Sequence, residues 1–235
     1  MNLHHYHLQC NPYLYQMKRE IRISEDGSHT IYVTDLNEHY HSINGAVTES
    51  QHIFIDAAFR FCQKQEVRIL EIGFGTGLNT MLTFIEASRQ NRQVYYHGVE
   101  KYPLTNDEAI LLNYDTILDI PGVSVMDFHK SGWAEDSRIT EGFTLRKEHA
   151  DFKDSKAVGP FDVIYFDSFA PDVQPEIWAP AIFKKIYDLT ADKGILTTYS
   201  VKGDVKRSLK AAGFKVEKIP GPFGKREILR AVKLV

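Results

Sequence analysis

One stretch limits what this chain can fold into. Arg68-Ile69-Leu70-Glu71-Ile72 is an apolar run carrying one acid, and Gly73-Phe74-Gly75-Thr76-Gly77 follows it directly. From Leu78 to Glu86 the spacing turns helical, with Leu78, Leu82 and Ile85 on one side. Apolar strand, glycine turn and amphipathic helix together make the first βα unit of a doubly wound α/β sheet. The spacing is G-x-G-x-G, and Leu78 stands where a dinucleotide fingerprint wants its third glycine. Gly73, Gly75 and Gly77 let backbone pass close to a ligand, and the helix start offers free N–H groups. Glu71 adds an acceptor beside the turn. A carboxylate there suits an amine or a sulfonium better than a pyrophosphate, which favours S-adenosylmethionine over a nicotinamide dinucleotide. Taken alone, the turn also fits a tight βα connection with no ligand.

The rest of the chain supplies the context for this unit. Val94 to Val99 is a second apolar run ending at Glu100, 27 residues after Gly73. In doubly wound nucleotide folds the acid closing the second strand bonds the ribose hydroxyls, so Glu100 points to an adenosine. A third strand is expected around Leu145, and the acid after it, Asp151, borders the adenine in such folds. Phe161 to Phe166 is a strong strand ending in Asp167-Ser168-Phe169-Ala170-Pro171. It should lie beside the first strand, with its C-terminal end over the same crevice. A helix is expected over 176–189, carrying Trp178 and Phe183. A fifth strand follows over 194–199, then a helix over 204–212 stopped by Gly213. Two strands, 214–219 and 228–234, close the chain. A closing hairpin after five βα units is a methyltransferase ending, not a dehydrogenase ending.

Upstream, 15–22 and 29–35 alternate weakly around Asp26-Gly27, which predicts a β-hairpin. A helix over 49–63 should follow, with Thr48 as its cap and Gln51 completing a capping box. Ile53, Ala57 and Phe61 share one face of that helix. Pro103 to Leu118 is expected to be helical. The organisation is therefore a small N-terminal β element over 1–48 and one sheet domain over 49–235. No metal is expected: His4, His5 and His7 have no carboxylate or cysteine at useful spacing. Cys10 and Cys62 are the only cysteines and read as free thiols in a reducing compartment. No run of about 20 apolar residues exists and the start has no secretory pattern, so a cytoplasmic protein is expected. Nothing reads as a coiled coil, which leaves the oligomeric state open.

Three segments together resemble one family. They are Glu71 to Asn79 (E-x-G-F-G-T-G-L-N), Asp167 to Pro171 (D-x-F-A-P) with Trp178 beyond it, and Gly221 to Glu227. The chain resembles the methyltransferase module of the bifunctional tRNA wobble-uridine enzymes called MnmC. More closely, it is similar to the stand-alone, MnmD-type form of that module, without the flavin oxidase half. The likeness runs from about Gly27 to Val235. It implies a class I methyltransferase fold of seven strands, the last antiparallel, with a small N-terminal β element. It further implies S-adenosylmethionine as cofactor, held by Glu71, Gly73, Gly75, Gly77, Asn79, Glu100, Asp151 and Asp167. The implied reaction is N-methylation of 5-aminomethyl-2-thiouridine in tRNA, giving 5-methylaminomethyl-2-thiouridine. Asp167 is then the group that orients the amine or relays its proton, and Phe169 stacks on the uracil or against the sulfonium. Ser168 departs from the glycine common at that place in the family.

Net charge is −3, but from Val201 onward ten Lys/Arg face three acids, a net of +7 that leaves −10 for the rest. Lys202, Lys206, Arg207, Lys225 and Arg226 are the expected contacts to anticodon stem-loop phosphates. Enzymes of upstream wobble-uridine modification are the other partners implied. Two rivals remain. A polyamine aminopropyltransferase shares the sheet and a sulfonium donor, but needs further aspartates in the loop after the fourth strand. A non-catalytic module binding S-adenosylmethionine and RNA would keep the turn without needing Asp167.

Overall fold

A computed structural model describes residues 17–118, 120 and 122–234. The histidines at 4, 5 and 7 and the cysteine at 10 lie outside the described residues. Among the described residues there are two sheets. The small one is antiparallel, β1 (Arg19–Ile23), β2 (His29–Val33) and β3 (Glu38–His39). Its first turn is the predicted one at Asp26-Gly27; β3 is too short to read from sequence.

The large sheet holds β4 (Glu66–Ile72), β5 (Gln93–Glu100), β6 (Asp136–Thr140), β7 (Phe143–His149), β8 (Phe161–Phe166), β9 (Thr190–Thr198), β10 (Phe214–Pro220) and β11 (Glu227–Lys233). Their order is β10-β11-β9-β8-β4-β5-β7-β6. β4, β5, β7, β8 and β9 run parallel, and β11 lies antiparallel between β9 and β10. This is the expected seven-stranded methyltransferase sheet. An eighth strand, β6, adds an antiparallel edge through a hairpin with β7.

Alternation along each strand sorts residues to the two faces. Ile69 and Tyr165 pack on one side with Phe54, Met81 and Tyr96; Leu70 and Phe166 pack on the other with Trp178, Phe183 and Leu209. The first side is covered by α1 (Ala46–Ser50), which runs on as a π-helical segment (Gln51–Phe59), and by α2 (Leu78–Arg89). α3 (Asn106–Ala109), α4 (Tyr114–Ile117) and α5 (Val125–His129) are short helices in the long connections after β5. α6 (Pro180–Leu189) and α7 (Gly203–Ala212) belong to the second core.

Several local expectations change. The helix predicted over 49–63 starts at Ala46, so Thr48 sits inside it, and its N–H and hydroxyl go to Asp26 (2.9 and 3.0 Å). No capping box forms; the Gln51 amide donates to Asp56 at 3.0 Å. The wider π turn breaks the 3.6-residue period. Phe61 therefore leaves the core face and is 48% exposed, beneath the Arg230 guanidinium. The helix predicted over 103–118 is two separate turns, α3 and α4. The one over 176–189 breaks at Ala179-Pro180, because a residue before proline is pushed out of helical conformation.

The glycine turn is fastened to the sheet by Phe74. Its ring lies against Gly98 of β5, where an added Cβ would come within 2.7 Å of Phe74 Cδ2. Gly98 is not in a left-handed conformation, so alanine there acts through crowding alone. Gly98→Ala is expected to cost about 1–3 kcal/mol, as overpacking in a dense core does. A urea denaturation midpoint measures it, and an unchanged midpoint would show that Phe74 moves freely.

Candidate active site

The C-terminal ends of β4, β5, β7 and β8 open on a cavity of about 330 Å3, a small-molecule volume. This is the crevice position expected of an open α/β sheet. Gly73, Gly75, Glu100, Asp151, Asp167 and Phe169 all line it. These are six of the residues singled out from the sequence, and they come from four strand ends.

Each is held for an identifiable reason. Gly73 has φ +94°, and a Cβ on it would meet the Asp167 carbonyl oxygen at 2.3 Å. Only glycine lets the β4 and β8 loops touch there. Gly73 donates its N–H to Val99 O, and Asp167 donates its N–H to Ile72 O, both at 2.9 Å. Glu100 accepts from Gly75 N–H (2.8 Å) and from Tyr102 N–H (2.7 Å), one per carboxylate oxygen. A second lone pair on each oxygen stays available to a hydroxyl donor. Asp151 caps the short turn after it and pairs with Lys101 at 2.9 Å. Burial works against that carboxylate, but the Lys101 hydrogen bond holds it below its usual range. Phe169 stands edge-on to Tyr40, ring centres 5.1 Å apart, while Trp178 donates its indole N–H to the Phe169 carbonyl (2.8 Å).

Glu71, Gly77 and Asn79 are placed differently: none of them lines the cavity. Alternation in β4 turns Ile72 toward it and Glu71 to the opposite face, fully buried under α2. Gly77, φ +74°, is the helix cap of α2 and packs against Phe74 and His129. The Asn79 amide donates to Glu71 (2.8 Å) and to Asp167 (2.8 Å) at once. These three, expected from the sequence at the ligand, stand behind the cavity wall in the structure.

This bridge shapes the electrostatics. Burial pushes the Glu71 carboxyl well above its ordinary value; the Asn79 amide opposes the shift and the nearby Asp167 charge adds to it. Asp167 is also raised by burial, against the Asn79 hydrogen bond, with Glu49 pushing up and Lys225 pulling down. Its pKa lies at about 7. A carboxyl near neutrality can take up or release a proton at working pH.

Further cavity residues were not singled out as such from the sequence. His41 lines it and shares a hydrogen bond with Thr76 Oγ1 (2.7 Å); burial lowers its pKa to about 4, so the ring is neutral at pH 7. Tyr199 donates its hydroxyl to the Ser168 carbonyl at 2.8 Å. Lys225, expected on phosphates, lines the cavity instead, paired with Glu49 and lying 4.4 Å from the Tyr199 ring centre. Of the other basic residues, Lys202 pairs with Asp172 and Arg207 with Asp204. The Lys218 hydrogen bond holds the Glu227 carboxyl below its usual range, and Arg226 and Lys206 add to that from nearby.

Residues 145–234 match the family described as S-adenosyl-L-methionine-dependent methyltransferase. The match covers that segment, and the strand order across the sheet is that of the class I methyltransferase fold. The chain is 32% identical over 234 residues to the tRNA 5-methylaminomethyl-2-thiouridine biosynthesis bifunctional protein MnmC of Burkholderia thailandensis, covering 87% of this chain and 33% of that one. The protein of the same name from Paraburkholderia phymatum is 29% identical over 210 residues, 81% of this chain and 31% of that one. The chain thus spans about one third of the length of the curated relatives it matches. Among solved structures, MNMC2 from Aquifex aeolicus superposes with a TM-score of 0.74 at 24% identity, over 92% of this chain and 70% of that one. Spermidine synthase from Thermotoga maritima shares the fold at a TM-score of 0.57 and 14% identity, over 92% and 74%.

The cavity suits that donor. Glu100 and Asp151 offer acceptors to hydroxyl and amine donors, Gly73 and Gly75 expose backbone, and the Tyr40 and Phe169 rings can face a cation.

The raised Asp167 pKa has a cost on folding. The native chain keeps this proton up to about pH 7, whereas an ordinary aspartate loses it near 3.8. Stability from this group is therefore full below pH 4 and falls as pH rises to 7. Asp167→Asn removes that loss and keeps an oxygen for Asn79. The ligand-free variant should melt at least about 2 °C above the parent at pH 8.5, the effect of roughly 1 kcal/mol in a domain of this size. The gap should shrink at pH 5. Calorimetric scans at the two pH values check this, and a gap that widens on acidification refutes the assignment.

Proposed function

We propose that this enzyme N-methylates the aminomethyl group of 5-aminomethyl-2-thiouridine at the tRNA wobble position, giving 5-methylaminomethyl-2-thiouridine. The observation that carries the reading is Asp167, a carboxyl of pKa about 7 at a cavity wall, wired by Asn79 to a buried acid. The printed names of the relatives support the substrate class. When bound, S-adenosylmethionine supplies an electrophilic methyl group on a sulfonium and leaves as S-adenosylhomocysteine.

The chain's part follows from what a primary amine needs. An alkylammonium has a lysine-like pKa, roughly 10, and carries no free lone pair. Asp167 orients the amine and takes the proton it sheds, so that the nitrogen can attack in line. Asn79 fixes one Asp167 oxygen, leaving the other for the amine. Phe169, braced by Tyr40 and by Trp178, presents a ring on which an extruded uracil can stack. Glu71, Gly77 and Asn79 serve as supports of this arrangement, while Gly73, Gly75, Glu100 and Asp151 hold the donor.

The tRNA would lie across α7 and the loop before β11. Exposed ion pairs such as Lys202–Asp172 contribute little, about 0–1 kcal/mol, so phosphates can replace the acids. This reading puts the enzyme with its tRNA in the cytoplasm, downstream of the reactions that install the aminomethyl group. No described helix is long and apolar enough to cross a membrane.

Incubation with methyl-labelled S-adenosylmethionine and either undermodified tRNA or no acceptor, and in parallel with aminopropyl-labelled decarboxylated S-adenosylmethionine and putrescine, tests the proposal. Label is expected in tRNA alone, and Asp167→Ala should reduce the rate by about 100-fold or more, the scale of general acid–base catalysis. Unchanged methylation by Asp167→Ala removes the catalytic role, and donor-group transfer to putrescine replaces the substrate. Lys206→Glu combined with Arg226→Glu should weaken tRNA binding and flatten its salt dependence by roughly one phosphate per residue. A salt slope equal to the parent's would mean that RNA docks elsewhere.

A further inference from the structure

Lys225 is an unexpected occupant of a cavity meant for a cation. Its ammonium pairs with Glu49 Oε1 and lies over the Tyr199 ring. The other Glu49 oxygen accepts the Ser42 N–H at 2.9 Å, so the carboxylate is oriented before any ligand arrives. Glu49 is mostly buried, its side chain 13% exposed. Tyr199 is fixed in turn through its hydroxyl to the Ser168 carbonyl. A fixed carboxylate above an aromatic face is a site for a primary ammonium. The chemistry of the group now in it, an alkylammonium on a flexible four-carbon stem, is that of the proposed acceptor.

Sheet order says which substrate it serves. Glu100 and Asp151 follow β5 and β7, on one side of β4; Asp167, Tyr199 and Lys225 come from β8, β9 and the loop before β11, on the other. The donor's adenosine end belongs to the first side, so the second is left for the acceptor.

We infer that Glu49 and Tyr199 form a primary-ammonium subsite for the acceptor, which Lys225 fills in the ligand-free enzyme and vacates when the substrate ammonium enters. The inference rests on the proposed N-methylation. Lys225 keeps Glu49 and Asp167 from being left as uncompensated buried charges. Its stem can swing out without a change of backbone. The incoming ammonium takes its place on Glu49, within reach of the influence of Asp167, where it gives up a proton. The charged and titratable groups facing this spot are Glu49 of α1, Glu38 of β3, His41, Asp167 with Glu71 and Asn79 behind it, Tyr199, and Lys225.

Steady-state methylation of tRNA bearing the aminomethyl group, with Glu49→Gln, Glu49→Asp and Lys225→Met, tests it. Glu49→Gln should raise the acceptor KM about 10-fold while kcat stays within about 3-fold, the loss of one charge-assisted hydrogen bond. Glu49→Asp should recover part of that loss. n-Butylamine, a bare alkylammonium probe, should inhibit Lys225→Met at least about 3-fold more strongly than the parent, because the resident competitor is gone. Binding of S-adenosylmethionine, followed by calorimetry, should change less than about 2-fold in all three. An unchanged acceptor KM in Glu49→Gln overturns the inference, as does a weakened donor affinity with the acceptor KM intact. If Glu49→Gln melts early, equal n-butylamine inhibition of parent and Lys225→Met overturns it instead. A parent enzyme that does not methylate the tRNA sinks the proposed function first, and the subsite assignment with it.

Discussion

One amide group ties the molecule together at its functional end. Asn79, on the first turn of α2, donates from the same nitrogen to Glu71 in the central strand and to Asp167 in the loop after the neighbouring strand. Two buried carboxyls would otherwise face each other across that seam, at a cost of several kcal/mol per unpaired charge. Burial raises both carboxyls and the shared amide opposes each shift, which leaves the Asp167 pKa at about 7. Strand β4, helix α2 and the β8 loop are thereby fixed by a contact that also limits how far burial raises the Asp167 carboxyl.

The proposed donor and acceptor halves follow from the order of the strands. Strand ends that carry Glu100 and Asp151 lie to one side of β4, and those that carry Asp167 and Tyr199 lie to the other. The antiparallel insertion of β11 brings the loop of residues 221–226 back to the sheet end, which is how Lys225 reaches Glu49. The small sheet is bolted on from a third direction, through Arg19 to Glu108 (3.0 Å) and Tyr114 to the His29 carbonyl (2.9 Å). It is followed by the stretch from Tyr40 to Ile43 that walls the cavity.

Much of this was legible in the sequence where apolar runs end in a single acid. β4, β5 and β8 are buried on both faces, so they read as continuous hydrophobic segments, and their terminal residues mark the crevice. Glu100 and Asp167 were found on that basis, Asp151 from its place after the third strand and Phe169 from the D-x-F-A-P resemblance, and all four line the cavity. The failures have physical causes. Glu71 belongs to the same run, but strand alternation turns it away, and an alternation signal is weak where both faces are apolar. α3, α4, α5 and β6 are too short to show a period. The π-helical stretch after α1 has its own period, which misplaced Phe61. Lys225 read as one more surface cation, because nothing local distinguishes a lysine that folds back on a cavity from one that faces water.

Thr76, in the middle of the glycine turn, has its hydroxyl approached by both His41 and Tyr114, and its carbonyl by the His129 ring. Three separate segments therefore grip a single residue of the loop on which the donor would rest. A loop gripped in this way has little freedom left to lose. A ligand resting on this loop would find it already ordered, so little of the binding energy would be spent on ordering it. On the opposite wall, the part inferred to move is one lysine side chain, that of Lys225.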